Sequence, residues 1–405
     1  MKDLDRVSGV ERKYVDEFLN SQFQISESAN MCARLESAFA KKFGVEFAVT
    51  HVNGTATLHS CLAAAGVGVG DEVIVPALTM ASTAIAVLHQ NAIPVFADVD
   101  ERTFQIDPES VRKLITPRTK AIIPVALYGL SPDMDAIMAI AREHRIAVIE
   151  DAAQCFLGTY KGKLVGTIGD MASFSFQRTK HMTCGEGGIV ITNNADYADR
   201  VRSFSCLGYA GYTGKNIQFK KSDIQDPNYE RHMSLGWNYL MPKPCAAIAL
   251  GQLERLDEFV QQRKDIAAGY HEIVSTCSWL VPQHIPSDCE SSYWSYVVRL
   301  DHPKITWHEF RDRYVLEGGD GIYAAWKPTY LEPMFRNMNL GGREKFFEKP
   351  FYQGERQKYA PGLCPVIERI QPKLLQFKTS YMKRDRFEKQ LKALKATVAH
   401  FDSHA

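Results

Sequence analysis

The stretch Ser173-Phe-Ser-Phe-Gln-Arg-Thr-Lys-His-Met-Thr-Cys-Gly-Glu-Gly-Gly188 is the most informative part of this 405-residue chain. It places one amine, Lys180, just before a glycine-rich turn, and Ser175, Thr179 and Thr183 supply small hydroxyls on either side. A lysine becomes a catalyst when it forms a Schiff base with a carbonyl, and pyridoxal phosphate (PLP) is the usual aldehyde partner. Hydroxyls and turn N–H groups are also the donors that a phosphate monoester requires. Because a lysine beside glycines is more commonly a solvated surface residue, the functional interpretation depends on the rest of the chain.

Strand and helix patterns alternate through the first half of the chain. Short, continuously apolar segments predict buried strands at 47–52, within 70–76, and at 94–98, 121–127 and 147–151. Such strands separated by helices are typical of an α/β fold with a mainly parallel sheet covered on both faces. Ligands bind at the carboxyl ends of the strands in these sheets. Asn53, Asp151 and Lys180 each follow a predicted strand end, which indicates one shared site.

The second half of the chain predicts a smaller α/β domain. Beyond a polar loop at 207–231, the pattern indicates one long helix at 244–264, strands at 291–300 and 321–327, and helices at 307–316 and 384–398. We therefore expect a large domain over 1–264 and a small C-terminal domain over 265–405.

The composition excludes several classes of protein. The chain is 45% hydrophobic and 23% charged with a formal net charge of +1, which is typical of a soluble globular protein and not of a nucleic-acid binder. No apolar segment approaches the ~20 residues that cross a bilayer, and the N-terminus lacks the apolar part of a signal peptide. The nine cysteines are scattered without metal-ligand spacing. We expect a cytoplasmic protein with reduced thiols, no metal, and neither nucleic-acid nor membrane partners.

Several motifs in a fixed order resemble those of one enzyme family. The motifs are Asn53-Gly-Thr-Ala-Thr-Leu-His59, Gly70-Asp-Glu-Val-Ile-Val-Pro-Ala-Leu-Thr79, Ile149-Glu-Asp-Ala-Ala-Gln154, the Lys180 stretch, Gly236-Trp-Asn-Tyr239 and Ala246-Ala-Ile-Ala-Leu-Gly-Gln-Leu-Glu-Arg-Leu-Asp257. Together they resemble the DegT/DnrJ/StrS family of sugar aminotransferases. The resemblance implies fold type I of PLP enzymes, with a mainly parallel seven-stranded sheet domain and a smaller C-terminal α/β domain. It also implies a homodimer with active sites shared at the subunit interface.

The resemblance assigns the chemistry to three side chains. Lys180 would hold PLP as a Schiff base and, once displaced, would carry protons. Asp151 would pair with the pyridine nitrogen and keep it protonated; from the sequence alone, a helix N-cap is an equal alternative for this aspartate. Gln154 would contact the phenolic oxygen of the cofactor. A dehydratase branch of the family has histidine in place of the lysine, but counting back from Gly185 places Lys180, not His181, at that position.

Phosphate binding is implied for a second group of residues. Ser175 resembles the hydroxyl that binds the cofactor phosphate. Gly54, Thr55 and Ala56 would offer backbone N–H groups at a helix N-terminus. Asn238 matches an asparagine that reaches the phosphate from the partner subunit.

The chain departs from the family at three places. Met80 stands where an aromatic residue often stacks on the PLP ring, although a thioether can also pack on a ring face. Leu240 replaces an arginine, which leaves the mode of binding the donor carboxylate open. In many family members a segment of the small domain contains a histidine for the acceptor. The corresponding segment of this chain has no histidine and reads Tyr323-Ala-Ala-Trp-Lys-Pro-Thr-Tyr330. The substrate candidates are His181, Tyr323, Trp326, Lys327 and Tyr330, with ordinary strand and core packing as the alternative for the small-domain residues.

These resemblances imply an aminotransferase that moves an amino group from L-glutamate or L-glutamine to a keto sugar, with a nucleotide-linked sugar ranked first. Similar stretches occur in cyclitol (scyllo-inosose type) aminotransferases and in the aminohydroxybenzoate-type synthase, so these acceptors remain alternatives. PLP-dependent dehydration is a second enzymatic alternative. A catalytically idle PLP-binding regulator is the non-enzyme alternative.

Overall fold

The computed structural model describes residues 2–23, 30–215, 220–344 and 358–402. The strands, in chain order, are β1 (Phe47–His51), β2 (Glu72–Pro76), β3 (Ile93–Ala97), β4 (Thr119–Ile122), β5 (Ala147–Asp151), β6 (Thr159–Tyr160), β7 (Lys163–Leu164), β8 (Met171–Ser175), β9 (Gly188–Thr192), β10 (Leu280–Pro282), β11 (Cys289–Glu290), β12 (Ser295–Leu300), β13 (Tyr323–Ala324) and β14 (Leu374–Lys378). The α-helices are α1 (Gly9–Asn20), α2 (Met31–Phe43), α3 (Gly54–Ala64), α4 (Ser82–His89), α5 (Pro108–Leu114), α6 (Met134–His144), α7 (Ala195–Ser205), α8 (Lys221–Gln225), α9 (Lys243–Glu254), α10 (Leu256–Val274), α11 (Trp307–Leu316), α12 (Pro333–Arg336), α13 (Pro365–Ile370) and α14 (Arg384–Asp402).

A seven-stranded sheet forms the centre of the molecule, in the order β1-β9-β8-β5-β4-β2-β3. Strand β9 runs antiparallel to both of its neighbours, and the other pairs are parallel. All five residues of β1, β2, β3, β8 and β9 are buried, which is typical of a sheet covered on both faces. The predicted mainly parallel seven-stranded sheet is confirmed.

An aromatic cluster fixes the position of β8 in this sheet. The rings of Phe39 and Phe43 on α2 stack with centroids 4.4 Å apart, and Phe43 meets Phe174 of β8 edge-on at 4.9 Å. Phe156 contacts Phe174 from another side at 5.0 Å. Such aromatic pairs add about 0.5–1.5 kcal/mol each beyond the burial of their area. The strand that ends at Ser175 is therefore held firmly before the chain enters the Lys180 turn.

The small domain is built on an antiparallel sheet in the order β10-β12-β14-β13. Helix α10 joins it to the large domain, since Leu256 and Val260 pack in the core beneath the large sheet and Ile266 and Tyr270 pack in the small-domain core. The predicted boundary between the two domains, after residue 264, lies inside this helix and stays a prediction. Parts of the C-terminal half, including Tyr330, also belong to the core of the large sheet.

Several predicted elements differ in extent. The single helix expected at 244–264 is two helices that meet at Arg255, whose guanidinium donates to Glu11 and to the carbonyl of Asp5. The strand expected at 121–127 ends at Ile122 because Pro124 has no N–H to donate to a ladder. Of the strand expected at 321–327, only β13 pairs with β14.

The loop expected at 207–231 contains the short helix α8, and its residues 216–219 lie outside the described part of the chain. Among the helices in the described ranges, none has the combined length and apolar character that crossing a membrane requires.

Leu62 on α3 offers a test of the large-domain core. It is 0% exposed, so Leu62→Ala should lower the free energy of unfolding by about 2–5 kcal/mol through lost burial and a residual cavity. Leu316→Ala makes the same chemical change at a side chain that is 74% exposed and should cost less than about 0.5 kcal/mol. Urea denaturation followed by circular dichroism measures both, and equal losses would contradict this assignment of the core.

Candidate active site

A cavity of about 460 Å³ lies where the carboxyl ends of the parallel strands meet. Asp151 ends β5, Ser175 ends β8, and α3 begins shortly after β1. The residues predicted for the site that line the cavity are Gly54, Thr55, Met80, Asp151, Gln154, Ser175, Lys180 and Trp326. The topology therefore brings together residues that are more than a hundred positions apart in the sequence.

Lys180 projects its amine into this cavity. Burial of the amine lowers its pKa to about 8, and the positive charge of Arg263 acts in the same direction. The carboxylates of Asp151 and Glu186 oppose the shift. The ring of Trp294 lies 5.1 Å from Nζ and covers the amine. More of the Lys180 amine is therefore neutral near neutral pH than in an ordinary lysine, and the neutral form is the one that acts as a nucleophile or proton acceptor.

Asp151 is held in one orientation by two hydrogen bonds. Its Oδ2 accepts from Thr83 Oγ1 at 2.9 Å, and its Oδ1 accepts from the N–H of Ala153 at 3.2 Å. Burial raises the pKa of this carboxyl, while the two hydrogen bonds and the charge of Lys180 oppose the rise. No helix starts after Asp151 within the described residues up to α7, so the N-cap interpretation is wrong. A buried carboxylate of this kind is stabilised by a cation, and a protonated pyridine nitrogen meets that need.

A second end of the cavity has the chemistry of a phosphate cradle. Asn53 caps α3 by accepting the N–H of Ala56 at its Oδ1, 2.9 Å away. The N–H groups of Gly54 and Thr55 have no acceptor among the described residues. A Cβ on Gly54 would lie 2.8 Å from the Cβ of Ser175, so only glycine lets the helix start approach this hydroxyl. The positive end of the helix dipole, two N–H groups and one hydroxyl fit a phosphate.

Gln154 completes the cavity wall between these two ends. Its Oε1 accepts the N–H of Tyr128 at 2.9 Å, which leaves the side-chain NH₂ to donate to a ligand. Tyr128 has a φ of 62° although it is not glycine, so the loop that positions Gln154 is strained. Among the described residues, no cluster of three or more His, Cys, Asp or Glu side chains could hold a metal ion.

A model of the DegT/DnrJ/EryC1/StrS aminotransferase family matches residues 6–346. The chain belongs to this family. Its cofactor is PLP, and the Lys180 amine, the Asp151 carboxylate and the Gly54–Ser175 cradle fit that group.

Individual relatives agree with this assignment. GDP-perosamine synthase of Caulobacter vibrioides is 40% identical over 309 residues, which cover 74% of this chain and 79% of that protein. The spore coat polysaccharide biosynthesis protein SpsC of Bacillus subtilis is 35% identical over 319 residues, or 78% of this chain and 80% of that protein. The solved structure of an aminotransferase from Psychrobacter cryohalolentis matches with a TM-score of 0.84 at 26% identity, covering 99% of each chain.

Three predicted site residues lie away from the cavity for identifiable reasons. His181 is 0% exposed, with Nε2 at 2.9 Å from the carbonyl oxygen of Ser292, and burial holds its pKa well below the usual range. Tyr330 is also 0% exposed, and its hydroxyl donates to Glu368 in the core of the large sheet. The N–H of Ala56 is occupied by the Asn53 cap. These positions are corrected: His181 and Tyr330 are packing residues, and Ala56 has no free donor for a phosphate.

Three other candidates lie on the surface. Tyr323 is 64% exposed, and Lys327 and Asn238 are also exposed; none of them lines the cavity of its own subunit. Any contact they make with a ligand therefore depends on a partner subunit or on a substrate that extends beyond the cavity.

Sequence reasoning missed one prominent part of the wall. Trp294 lies just before β12, and its ring centroid is 6.1 Å from that of Trp326, so the two indoles form one aromatic face. Trp294 Nε1 also donates to the carbonyl of Thr179 at 3.1 Å. Trp294 is 114 positions from Lys180, and no local pattern connects the two residues; only an unexplained tryptophan at the start of a predicted strand could have marked it.

The phosphate cradle can be tested at Gly54. Gly54→Ala should weaken PLP binding by about 10- to 100-fold, the loss expected when one or two hydrogen bonds to a charged group are displaced. Gly68→Ala is the matched control, because nothing lies within 4 Å of the Cβ it would add. Absorbance titration with PLP measures both dissociation constants. Equal affinities in the two variants would contradict the cradle.

Proposed function

We propose that this aminotransferase moves an amino group from L-glutamate or L-glutamine to a ketone of a nucleotide-linked sugar, in amino-sugar biosynthesis. The observation that carries the proposal is the cavity that holds the Lys180 amine, the Asp151 carboxylate and the Gly54–Ser175 cradle together. The printed name of the Caulobacter vibrioides relative, GDP-perosamine synthase, supports a nucleotide-linked sugar.

The two ends of the cavity would bind different parts of PLP. PLP, when bound, supplies an aldehyde that condenses with amines and a ring that accepts electrons from a breaking Cα–H bond. Lys180 would hold the aldehyde carbon, and Gly54, Thr55 and Ser175 would hold the phosphate. Asp151 would stabilise the proton on the pyridine nitrogen. Gln154 would donate its amide to the phenolic oxygen.

Lys180 is the group that moves protons. With a pKa of about 8, its free amine can accept the proton from the Cα of the donor and remain a competent acid afterwards. In the second half-reaction the same Nζ can deliver a proton to the sugar carbon that receives nitrogen. Burial and the charge of Arg263 favour the neutral amine, and Asp151 and Glu186 favour the protonated amine.

The aromatic face supports a cyclic acceptor. Trp294 and Trp326 present two indoles at the cavity, and the half-exposed Met80 lies at the same opening. Indole faces pack well against the apolar faces of sugar and nucleotide rings. This arrangement supports acceptor stacking in place of the family histidine.

Visible absorption of the purified protein tests the donor half-reaction. The wild type should show the band of lysine-linked PLP, and L-glutamate or L-glutamine should shift it to that of the pyridoxamine form. Lys180→Ala should bind PLP without the lysine-linked band. A wild-type band that ignores both donors would overturn their assignment.

Mass spectrometry of acceptor products tests the second half-reaction. Nucleotide-linked 3-keto and 4-keto sugars should gain an amine at the expense of the amino donor. Preferential amination of a scyllo-inosose-type cyclitol or formation of an aminohydroxybenzoate would instead favour those alternatives. A product that lacks the amine would indicate dehydration, and no turnover with any acceptor would favour the regulator.

We also propose that the enzyme is a homodimer with shared sites. Among the described residues that line the cavity, Lys180 is the only cation, yet an amino-acid donor brings carboxylates that require cationic partners. Large apolar side chains near Asn238 are exposed, including Leu235 at 87% and Met233 at 65%. Apolar exposure of this extent is typical of a surface that a partner covers.

A cytoplasmic location stays a prediction.

Mixing inactive variants tests the shared site. Lys180→Ala and Asn238→Ala, unfolded and refolded together or co-expressed, should regain transaminase activity, because each heterodimer then has one site with both residues intact. Lys180→Ala mixed with Asp151→Asn is the control and should stay inactive, since both residues belong to one subunit's cavity. Failure of the first mixture to recover would exclude a contribution of Asn238 across the interface.

A further inference from the structure

Two arginines hold the backbone around Lys180. Arg263 Nη2 donates to the carbonyls of Thr179 and Lys180 at 3.0 and 3.3 Å. Arg6 Nη2 donates to the carbonyl of Lys180 at 2.7 Å, and its Nη1 donates to that of His181 at 2.8 Å. Three successive carbonyls thus accept four hydrogen bonds from two guanidinium groups that are far away in the sequence.

Burying the charged side chain of Arg263 at this position costs free energy. It is 2% exposed, and no carboxylate among the described residues forms an ion pair with it. Its Nε is a buried donor without a hydrogen-bond partner. Burial and the charge of Arg6 lower its pKa to about 9, so it still carries its charge at neutral pH. A buried, incompletely bonded cation costs free energy, and stability alone gives no reason to retain it.

The same guanidinium connects Lys180 to the small domain. Arg263 Nη1 donates to the carbonyl of Trp294 at 2.8 Å and to Thr379 Oγ1 at 3.0 Å. Trp294 is the residue whose ring covers the Lys180 amine. One side chain of α10 therefore fixes both the lysine backbone and the aromatic cover above its amine.

The charges that face the Lys180 amine come from three elements. Asp151 at the end of β5 and Glu186 in the glycine-rich turn favour the ammonium form, and Arg263 on α10 favours the neutral form. Arg6 adds positive charge beside His181, the next residue. Arg263 is therefore the charge that acts with burial, and against the two carboxylates, to favour the neutral amine.

We propose that Arg263, with Arg6 beside it, is a positioning residue that holds the Lys180 backbone and Trp294 in place and sets a positive charge beside the lysine amine. The inference rests on the proposed function, because it assigns Lys180 the proton transfer of that reaction. It also explains why an uncompensated charge is buried next to the reacting lysine.

Two substitutions of Arg263 separate charge from hydrogen bonding. Arg263→Met removes both the charge and the hydrogen bonds. Arg263→Lys keeps the charge but loses the planar guanidinium group and its several N–H donors. The readout is the pH at which the visible band of the lysine-linked cofactor changes, together with the pH dependence of acetylation of Lys180 in the full-length protein without cofactor. Neither readout requires turnover.

We expect Arg263→Met to raise two midpoints by about one pH unit each: that of the visible band and that of Lys180 acetylation. The reason is that a neutral side chain no longer disfavours the protonated nitrogen. Arg263→Lys should keep midpoints near those of the wild type but slow the donor half-reaction about tenfold through lost orientation. Arg255→Met, at the junction of α9 and α10 and bonded to Glu11 and Asp5 instead of the Lys180 backbone, should leave both midpoints unchanged. If Arg263→Met does not fold, Arg263→Gln is the neutral variant to measure.

Unchanged midpoints in the neutral variant, or an equal shift in Arg255→Met, would overturn the inference. Either result would leave amino transfer by the wild type intact. Wild-type protein that transfers no amine would instead overturn the proposed function, so the two failures are distinguishable.

Discussion

The placement of the Lys180 amine and the Asp151 carboxylate in one cavity, where their charges interact, is the constraint on which the rest of the structure depends. Burial disfavours the charged form of each group, and each partly stabilises the charge of the other. The protein adds hydrogen bonds from Thr83 and Ala153 on the carboxylate side and the Arg263 guanidinium on the amine side. The result is an amine that can exist in both protonation states while the carboxylate keeps a fixed direction.

The framework places these groups by rigid packing. Phe174 lies in an aromatic cluster and fixes β8, so Ser175 at its end meets the start of α3 at Gly54. Parallel strands bring their carboxyl ends to one edge, which is why residues from distant motifs converge there.

Local motifs made the central part of the site predictable from the sequence. Asp151 and Ser175 lie at strand ends, and Gly54 lies at a helix start; such positions follow from short-range patterns. Tyr330 and His181 were misassigned because burial is decided by distant packing, which a single sequence does not display. Arg263 carries no local signal at all, since it contacts the lysine carbonyl from a helix 83 positions further along the chain.

Helix α10 contributes to two hydrophobic cores within one uninterrupted element. Leu256 and Val260 belong to the core of the large domain, while Ile266 and Tyr270 belong to that of the small domain, and Arg263 between them holds the Lys180 backbone. A recombination event that exchanged the small domain for that of a relative would have to cut this helix, and would disturb the reacting lysine as it did so. Descendants of such an enzyme should therefore diversify through substitutions and loop changes around the cavity mouth, and seldom by shuffling whole domains.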